Sequence, residues 1–299
     1  MRGKDVVRTD GLTKCYGRTV ALEGLDLAVP RGVVFGYLGP NGAGKTTTIR
    51  LLVGLLRPTR GRAEVLGSDP TLHPDEVQGR IGYLPGEFTA YADLTGEKYL
   101  RYLGSLRGGV DGKVVARLAE RLELDLERRI GALSHGNRQK VGIVQAFMGE
   151  PELLILDEPT TGLDPLMQRE FLALVREARE AGRTVFLSSH ILSEVEAVAD
   201  VVAIVRQGRL VVVDSVESLK ARALRRIDLT FAGEPPVEEL AGVPGGREVR
   251  AADSTAHLVL EGSTADLVAA LAPYRVENVI THEADLEEIF LALYAGREA

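Results

Sequence analysis

VVFGYLGPNGAGKTTTIR, residues 33–50, runs from a β-branched and aromatic stretch through a glycine-rich one into residues with helical spacing. That order predicts a strand, a tight loop and a helix start, which together aim free backbone N–H groups at an anion. GPNGAGKT, residues 39–46, fits the phosphate-loop pattern, and the flanking strand and helix are the context the pattern requires. Gly39, Gly42 and Gly44 let the backbone wrap a phosphate chain at close range, with Pro40, Asn41 and Ala43 between them. Lys45 would place a positive charge on the β- and γ-phosphates, Thr46 would give its hydroxyl to Mg²⁺, and Thr47 could donate to the α-phosphate. The plainer reading, a glycine-rich turn with a surface lysine, does not account for both the pattern and its context.

Outward from this loop, short apolar runs alternate with helical patterns: LLIL (153–156) before a helix near 166–180, and TVFLSS (184–189) before ILSEVEAVA. Such alternation predicts a parallel sheet flanked by helices, an α/β fold with a three-layer core. IVRQGRLVVVD (204–214) predicts a hairpin that turns at Gln207 and Gly208 and closes the core. Residues 87–150 are mostly helical in pattern, with YLRYLGSLR (99–107) and VVARLAERLEL (114–124) as amphipathic candidates, and read as a helical insertion. After about residue 215 the nucleotide-type loops end. RRIDLTFAG, TAHLVLEG, ADLVAALAPY, RVENVITH and ADLEEIFLALY predict a small α+β domain over 216–299, joined near Ser215 to Ala223 to a first domain over 1–215.

Three further segments carry chemistry. LLILDEP (153–159) ends a buried strand in Asp157, which delivers a carboxylate to the carboxyl edge of the sheet, where it can hold Mg²⁺ directly or through water. Glu158 would reach the γ-phosphate side and orient or deprotonate an attacking water. An Asp-Glu pair alone is a turn or a cap; beside a phosphate loop it reads as catalytic. His190 follows TVFLSS, and a ring nitrogen there can hydrogen-bond the γ-phosphate. LSHGNRQK (133–140), leading into VGIVQAFM, predicts a second anion-seeking helix start carrying Ser134 and Gly136. His257 and His282 have no ligand partners at metal spacing and read as ordinary residues.

Composition bounds the rest. With 299 residues and 45% apolar side chains the chain can bury a proper core. Its formal charge of -7, with no basic cluster, gives no attraction to nucleic acid. The single cysteine, Cys15, excludes an internal disulfide framework and fits a reducing compartment. MRGKDVVRTDGLTK lacks the apolar segment of a secretory signal, and no apolar run approaches the roughly 20 residues needed to span a bilayer, so any work at a membrane is expected to go through a partner.

Taken in order, Tyr16, GPNGAGKTT, LSHGNRQK, LLILDEP, TGLDP and SSH resemble the nucleotide-binding subunit of an ATP-binding cassette (ABC) transporter over roughly residues 5–215. The resemblance implies a P-loop NTPase fold of the ABC ATPase type, with a parallel-sheet core, an antiparallel β subdomain and the helical insertion. It implies ATP and Mg²⁺ as cofactors and hydrolysis carried by Lys45, Glu158 and His190. Two such subunits, a homodimer or a pair of sister ATPases, would pack head to tail, so that Ser134 and Gly136 of one close on the ATP held by the other. Asp164 would lie at the same interface. Tyr16 would stack on adenine, with ordinary packing as the alternative. The tail with DLEEIFLALY is similar to that of ABC-2 type exporter ATPases, the group that includes antibiotic-resistance pumps, which implies transmembrane ABC-2 type permease subunits as partners and a place at the cytoplasmic face of the cell membrane.

The chain departs from the family pattern in two places. LSHGN stands for the usual LSGGQ, so His135 replaces a glycine and Asn137 a glutamine. In IGYLPGEF (81–88), Gly86 occupies the place of a glutamine that in the family touches Mg²⁺ and the attacking water; Glu87 is expected to substitute as the metal's oxygen donor. Phe88, Tyr91, Tyr99 and Tyr102 would either line a groove for a helix of the membrane partner or fill the core of the insertion. The rival function, a soluble ABC ATPase acting on ribosomes or nucleic acid, usually brings two cassettes in one chain, a basic arm or a long coiled coil, and none is present. A non-hydrolysing regulatory subunit is disfavoured because Lys45, Asp157, Glu158 and His190 are all in place.

Overall fold

Two long strands, β1 (Val7–Tyr16) and β2 (Thr19–Val29), pair antiparallel and lead into β3 (Val34–Leu38), every residue of which is buried. The computed structural model describes residues 5–222, 225–261 and 264–282. It divides into two units, Met1–Val213 and Asp214–Ala299. In the first, β3 is followed by α1 (Lys45–Leu52) and β4 (Arg60–Val65), and β4 joins β1 to complete an antiparallel sheet of order β2-β1-β4. Then come α2 (Pro74–Gln78), β5 (Ile81–Leu84), α3 (Gly96–Leu106), α4 (Gly112–Arg121), α5 (His135–Phe147), β6 (Leu153–Asp157), α6 (Pro165–Glu180), β7 (Thr184–Ser189), α7 (Leu192–Glu196), β8 (Val201–Arg206) and β9 (Arg209–Ser215). The main sheet has the order β5-β6-β7-β3-β8-β9 and is parallel from β5 to β8. Parallel core, antiparallel sheet and helical insertion are the architecture the resemblance implies.

This order positions the site. β7 separates β3 from β6, and its register sets Ser188 beside both Tyr37 and Asp157, and Ser189 beside Leu38. The phosphate loop, Asp157 and His190 therefore leave the sheet at one level of its carboxyl edge, where ligands bind in open α/β sheets. Beneath them Phe186 stacks on Phe35 at 5.7 Å and tilts against Tyr37 at 5.2 Å, all three fully buried. Burying such a side chain contributes roughly 1.5–3 kcal/mol. Burial also pushes the Tyr37 hydroxyl's pKa far above its usual value, against a hydrogen bond with Thr48. Gln207 and Gly208 turn the β8–β9 hairpin with φ of 50° and 76°, the left-handed pair such a turn needs. The turn then buttresses the phosphate loop, because Gly208 N donates to Ala43 O at 3.0 Å.

Caps fix the helix starts. Ser134 Oγ accepts from Asn137 N at 3.3 Å, and Asp164 Oδ1 accepts from Leu166 N at 3.0 Å and Met167 N at 3.1 Å ahead of Pro165. The helix read from ILSEVEAVA is shorter than its pattern and covers only Leu192–Glu196.

The second unit contains α8 (Val216–Arg222), β10 (Arg225–Phe231), α9 (Val237–Ala241), β11 (Gly246–Ala252), β12 (Thr255–Leu260), α10 (Ala265–Leu271) and β13 (Val276–His282). Its antiparallel sheet, ordered β11-β12-β10-β13, packs Ile227, Leu229, Phe231, Leu258 and Leu260 into a core of its own with Leu240 and Leu267 from the helices. On the other face His257 Nδ1 lies 2.6 Å and His282 Nε2 3.1 Å from the two oxygens of Asp228. β10 is flanked by β12 and β13, and strand pairing brings both rings to one carboxylate, a contact that no spacing in the sequence signals. The ADLEEIFLALY segment lies outside the described residues.

Candidate active site

Gly44 caps α1 in the left-handed region at φ 104°, and a Cβ on it would stand 2.7 Å from Ala21 O, so the loop closes only with glycine there. With Ala21, the residues Pro40, Asn41, Gly42, Gly44, Lys45, Thr46, Thr47 and Glu158 line a cavity of about 320 Å³. Gly39 and Ala43 are buried at the base of the loop, where a Cβ on Gly39 would meet Val205 O at 2.6 Å. Lys45 is buried, and its Nζ donates to Gly39 O at 2.6 Å and Pro40 O at 3.3 Å. The same ammonium lies 3.1 Å from Glu158 Oε1, although that oxygen has no hydrogen-bond partner. Distance makes this an ion pair; its protons point to the loop carbonyls.

Asp157 is fully buried at the end of β6. Its Oδ1 accepts the Ser188 hydroxyl at 2.5 Å, while its Oδ2 is buried with no partner. A buried carboxylate oxygen without a donor is costly, and a hard cation is its natural complement. Glu158 follows in a left-handed conformation, φ 47°, that costs a non-glycine residue about 1–3 kcal/mol and must be held by its surroundings. Its N–H donates to Ser188 O at 3.1 Å, and its Oε2 stands 2.6 Å from His190 Nδ1. Lys45, Glu158 and His190 thus form a continuous run of polar side chains, of which Lys45 and Glu158 line the cavity.

Ser134 and Gly136 do not line that cavity. Ser134 is exposed, and its oxygen caps α5 while its hydroxyl donates to no acceptor among the described residues. Gly136 is required by a close approach: a Cβ there would stand 2.4 Å from Gly162 O. Gly162 in turn carries the His135 ring against it, so the LSHGN turn and the TGLD turn of one chain are packed together. Asp164 is exposed at the end of that turn.

Residues 22–161 match the family model described as ABC transporter. A fluoroquinolones export ATP-binding protein of Mycobacterium tuberculosis is 35% identical over 303 residues, which cover 99% of this chain and 95% of that protein. The chain belongs to the ABC transporter family. Within it, the daunorubicin/doxorubicin resistance ATP-binding protein DrrA of Streptomyces peucetius is 41% identical over 221 residues, 72% of this chain and 67% of DrrA. A solved structure of the ATP-binding subunit of an ABC transporter superposes with a TM-score of 0.67 at 32% identity, covering 72% of this chain and 92% of that one. This ABC subunit binds and hydrolyses ATP.

The positions at which it departs from the family are now placed. A Cβ on Gly86 would sit 3.3 Å from Asp157 Oδ2, so it is position 86 that faces the unpartnered oxygen, and Glu87 is the exposed residue beyond it. Tyr16 ends β1 with its ring exposed, Lys14 Nζ 5.3 Å from its centroid, and it does not line the phosphate-loop cavity. The aromatic group divides. Tyr99 is buried and donates to Gln145 Oε1 at 2.8 Å, and Phe88 packs where a Cβ on Gly142 of α5 would be, whereas Tyr91 and Tyr102 are exposed.

Four residues at the site have no role that their sequence context assigns, although Ser188 lies in SSH and Gln139 in LSHGNRQK. Ser188 supports both Asp157 and Glu158, and the parallel register of TVFLSS against LLILD could have indicated it. Gln139 of α5 is buried and donates to Pro159 O at 3.0 Å; Thr160 and Glu194 meet at 2.7 Å. These three contacts bridge 20 to 34 residues and leave no local pattern.

Proposed function

We propose that this ABC subunit powers export through separate ABC-2 type transmembrane subunits at the cytoplasmic face of the membrane, by closing head to tail with a second cassette, its own copy or a sister, on bound ATP. Residues 1–215 are read as the cassette and 216–299 as an accessory domain. The observation that carries the reading is the run of Lys45, Glu158 and His190 beside the unpartnered Asp157 Oδ2, since a carboxylate held between a cation and an imidazole is suited to orient a water for attack on a γ-phosphate. Gly39–Thr47 bind the triphosphate, Lys45 neutralises charge on the β- and γ-phosphates, and His190 hydrogen-bonds the γ-phosphate. Thr46 and Asp157 hold Mg²⁺, which neutralises developing charge when bound. Glu87 supplies the oxygen that Gly86 lacks. Tyr16 stacks on adenine. Ser134, Gly136 and Asp164 act on the nucleotide of the opposite cassette.

The relatives named for fluoroquinolone export and for daunorubicin/doxorubicin resistance support a drug or antibiotic as cargo. The exposed Tyr91 and Tyr102 support docking of a helix of the membrane subunit on the helical insertion. The test is to mix the Glu158→Gln protein with ATP and Mg²⁺ and measure its mass in solution. A nucleotide-dependent dimer, lost in Ser134→Ala, is the expected result; a monomer that retains ATP overturns the reading.

A further inference from the structure

The segment after β6 is gripped from two sides. Gln139 of α5 holds Pro159 O, and on the opposite side Thr160 Oγ1 donates to Glu194 Oε2 at 2.7 Å, with both residues buried. Ser189 Oγ approaches the same carboxylate oxygen at 3.5 Å and accepts from Ile191 N at 2.9 Å. Glu194 therefore touches the segment two residues beyond Glu158 and the residue immediately before His190. Between these anchored points lies the 2.6 Å contact of Glu158 with His190, made by a glutamate whose left-handed backbone needs external support.

We infer that Glu194 is a positioning residue for ATP hydrolysis, which by accepting the Thr160 hydroxyl holds the Glu158 turn in register with the His190 turn. A carboxylate with two hydroxyl neighbours and, among the described residues, no cation in ion-pair contact is an expensive group to bury, and burial indeed raises its pKa above the usual glutamate range against the opposing effect of Thr160 and Ser189. An apolar residue would fill this place at lower cost but could not accept the Thr160 proton. The geometry gives the cost a use: α7 is only five residues long, and its tie to Thr160 makes the His190 turn move with the segment that carries Glu158.

The inference rests on the reading that Glu158 and His190 act on the γ-phosphate, and the experiment separates the two. ATP turnover is measured for wild type, Thr160→Val, Thr160→Ser, Glu194→Ala and Glu194→Gln, together with Thr160→Val in a His190→Ala background. Thr160→Val keeps the shape of the side chain and removes the donor, so it tests the idea even if Glu194→Ala does not fold. Expected are a loss of about tenfold in kcat with KM for ATP changed less than about twofold in Thr160→Val, and recovery of most of that loss in Thr160→Ser and of most of the Glu194→Ala loss in Glu194→Gln. In the His190→Ala background the same Thr160→Val change should cost less than about twofold, since residues acting as one unit are not additive. Full multiplicative loss in that background, or a wild-type kcat in Thr160→Val, overturns the inference. A wild-type rate in Glu158→Gln would instead sink the underlying reading.

Discussion

His190 Nδ1 meets Glu158 Oε2 at 2.6 Å across 32 residues of sequence, and the other oxygen of the same glutamate faces Lys45 at 3.1 Å. One carboxylate thus joins the strand-end histidine to the phosphate loop. Glu158→Gln keeps the shape and removes the base, so ATP turnover should fall by a factor on the order of 10²–10⁴ while ATP affinity stays within a few fold. Steady-state hydrolysis together with fluorescent-nucleotide binding measures both; a turnover near wild type would exclude Glu158 as the water-orienting group.

Asp157 offers one oxygen to Ser188 and leaves the other without a partner. In Asp157→Asn one oxygen becomes an amide NH₂ and the negative charge is lost, so a single neutral oxygen is shared between Ser188 and a cation. Half-saturation of ATPase activity by Mg²⁺ should rise by about tenfold or more, whereas Glu87→Ala should shift it by a smaller factor. A Glu87→Ala protein with unchanged Mg²⁺ dependence would remove Glu87 from the metal's surroundings.

Gly136 has no room for a methyl group, because Gly162 O stands 2.4 Å from where Cβ would be. Gly136→Ala should therefore push the LSHGN turn away from the TGLD turn, lowering unfolding free energy by about 1–3 kcal/mol and ATP turnover with it. Asp164→Ala should cost a comparable amount, about 1 kcal/mol, through loss of the α6 cap. Urea unfolding of the two variants reads these costs directly.

In the second unit, hydrogen bonding by His257 in the first place, and by His282, holds the Asp228 carboxyl below the usual aspartate range. A depressed folded-state pKa stabilises the fold fully above the unfolded value of about 3.9, and that stability disappears as pH falls through the lower folded value. The loss is thus confined to pH below about 4. Asp228→Asn should flatten this acid limb of the denaturation midpoint against pH; an unchanged acid limb would mean that the histidine contacts do not form in solution.

Much of this site is legible in the sequence because its parts are local. The phosphate loop is a strand, a turn that needs glycine and a helix start within one stretch, and its chemistry lies in backbone N–H groups that no distant residue supplies. Asp157 and His190 were legible for a related reason: each ends an apolar run, and a run that becomes a parallel strand delivers its next residue to the carboxyl edge. The aromatic group was not so readable, since Tyr99 and Tyr102 are three positions apart on one helix, yet Tyr99 is buried and Tyr102 exposed. Only the packing of α3 on its neighbours separates them.

From its sequence alone this protein is a phosphate-loop α/β cassette with a named set of candidate site residues, because those features depend on spacing within single segments. Only the tertiary structure decided what supports them: Ser188 under Asp157, Gln139 on Pro159, Glu194 on Thr160, Gly136 against Gly162, and two histidines on Asp228. Each of these joins segments brought together by sheet order or helix packing. A hydrogen bond between distant segments requires only that one donor and one acceptor arrive at the same place, and a linear sequence does not encode that arrival at any fixed spacing.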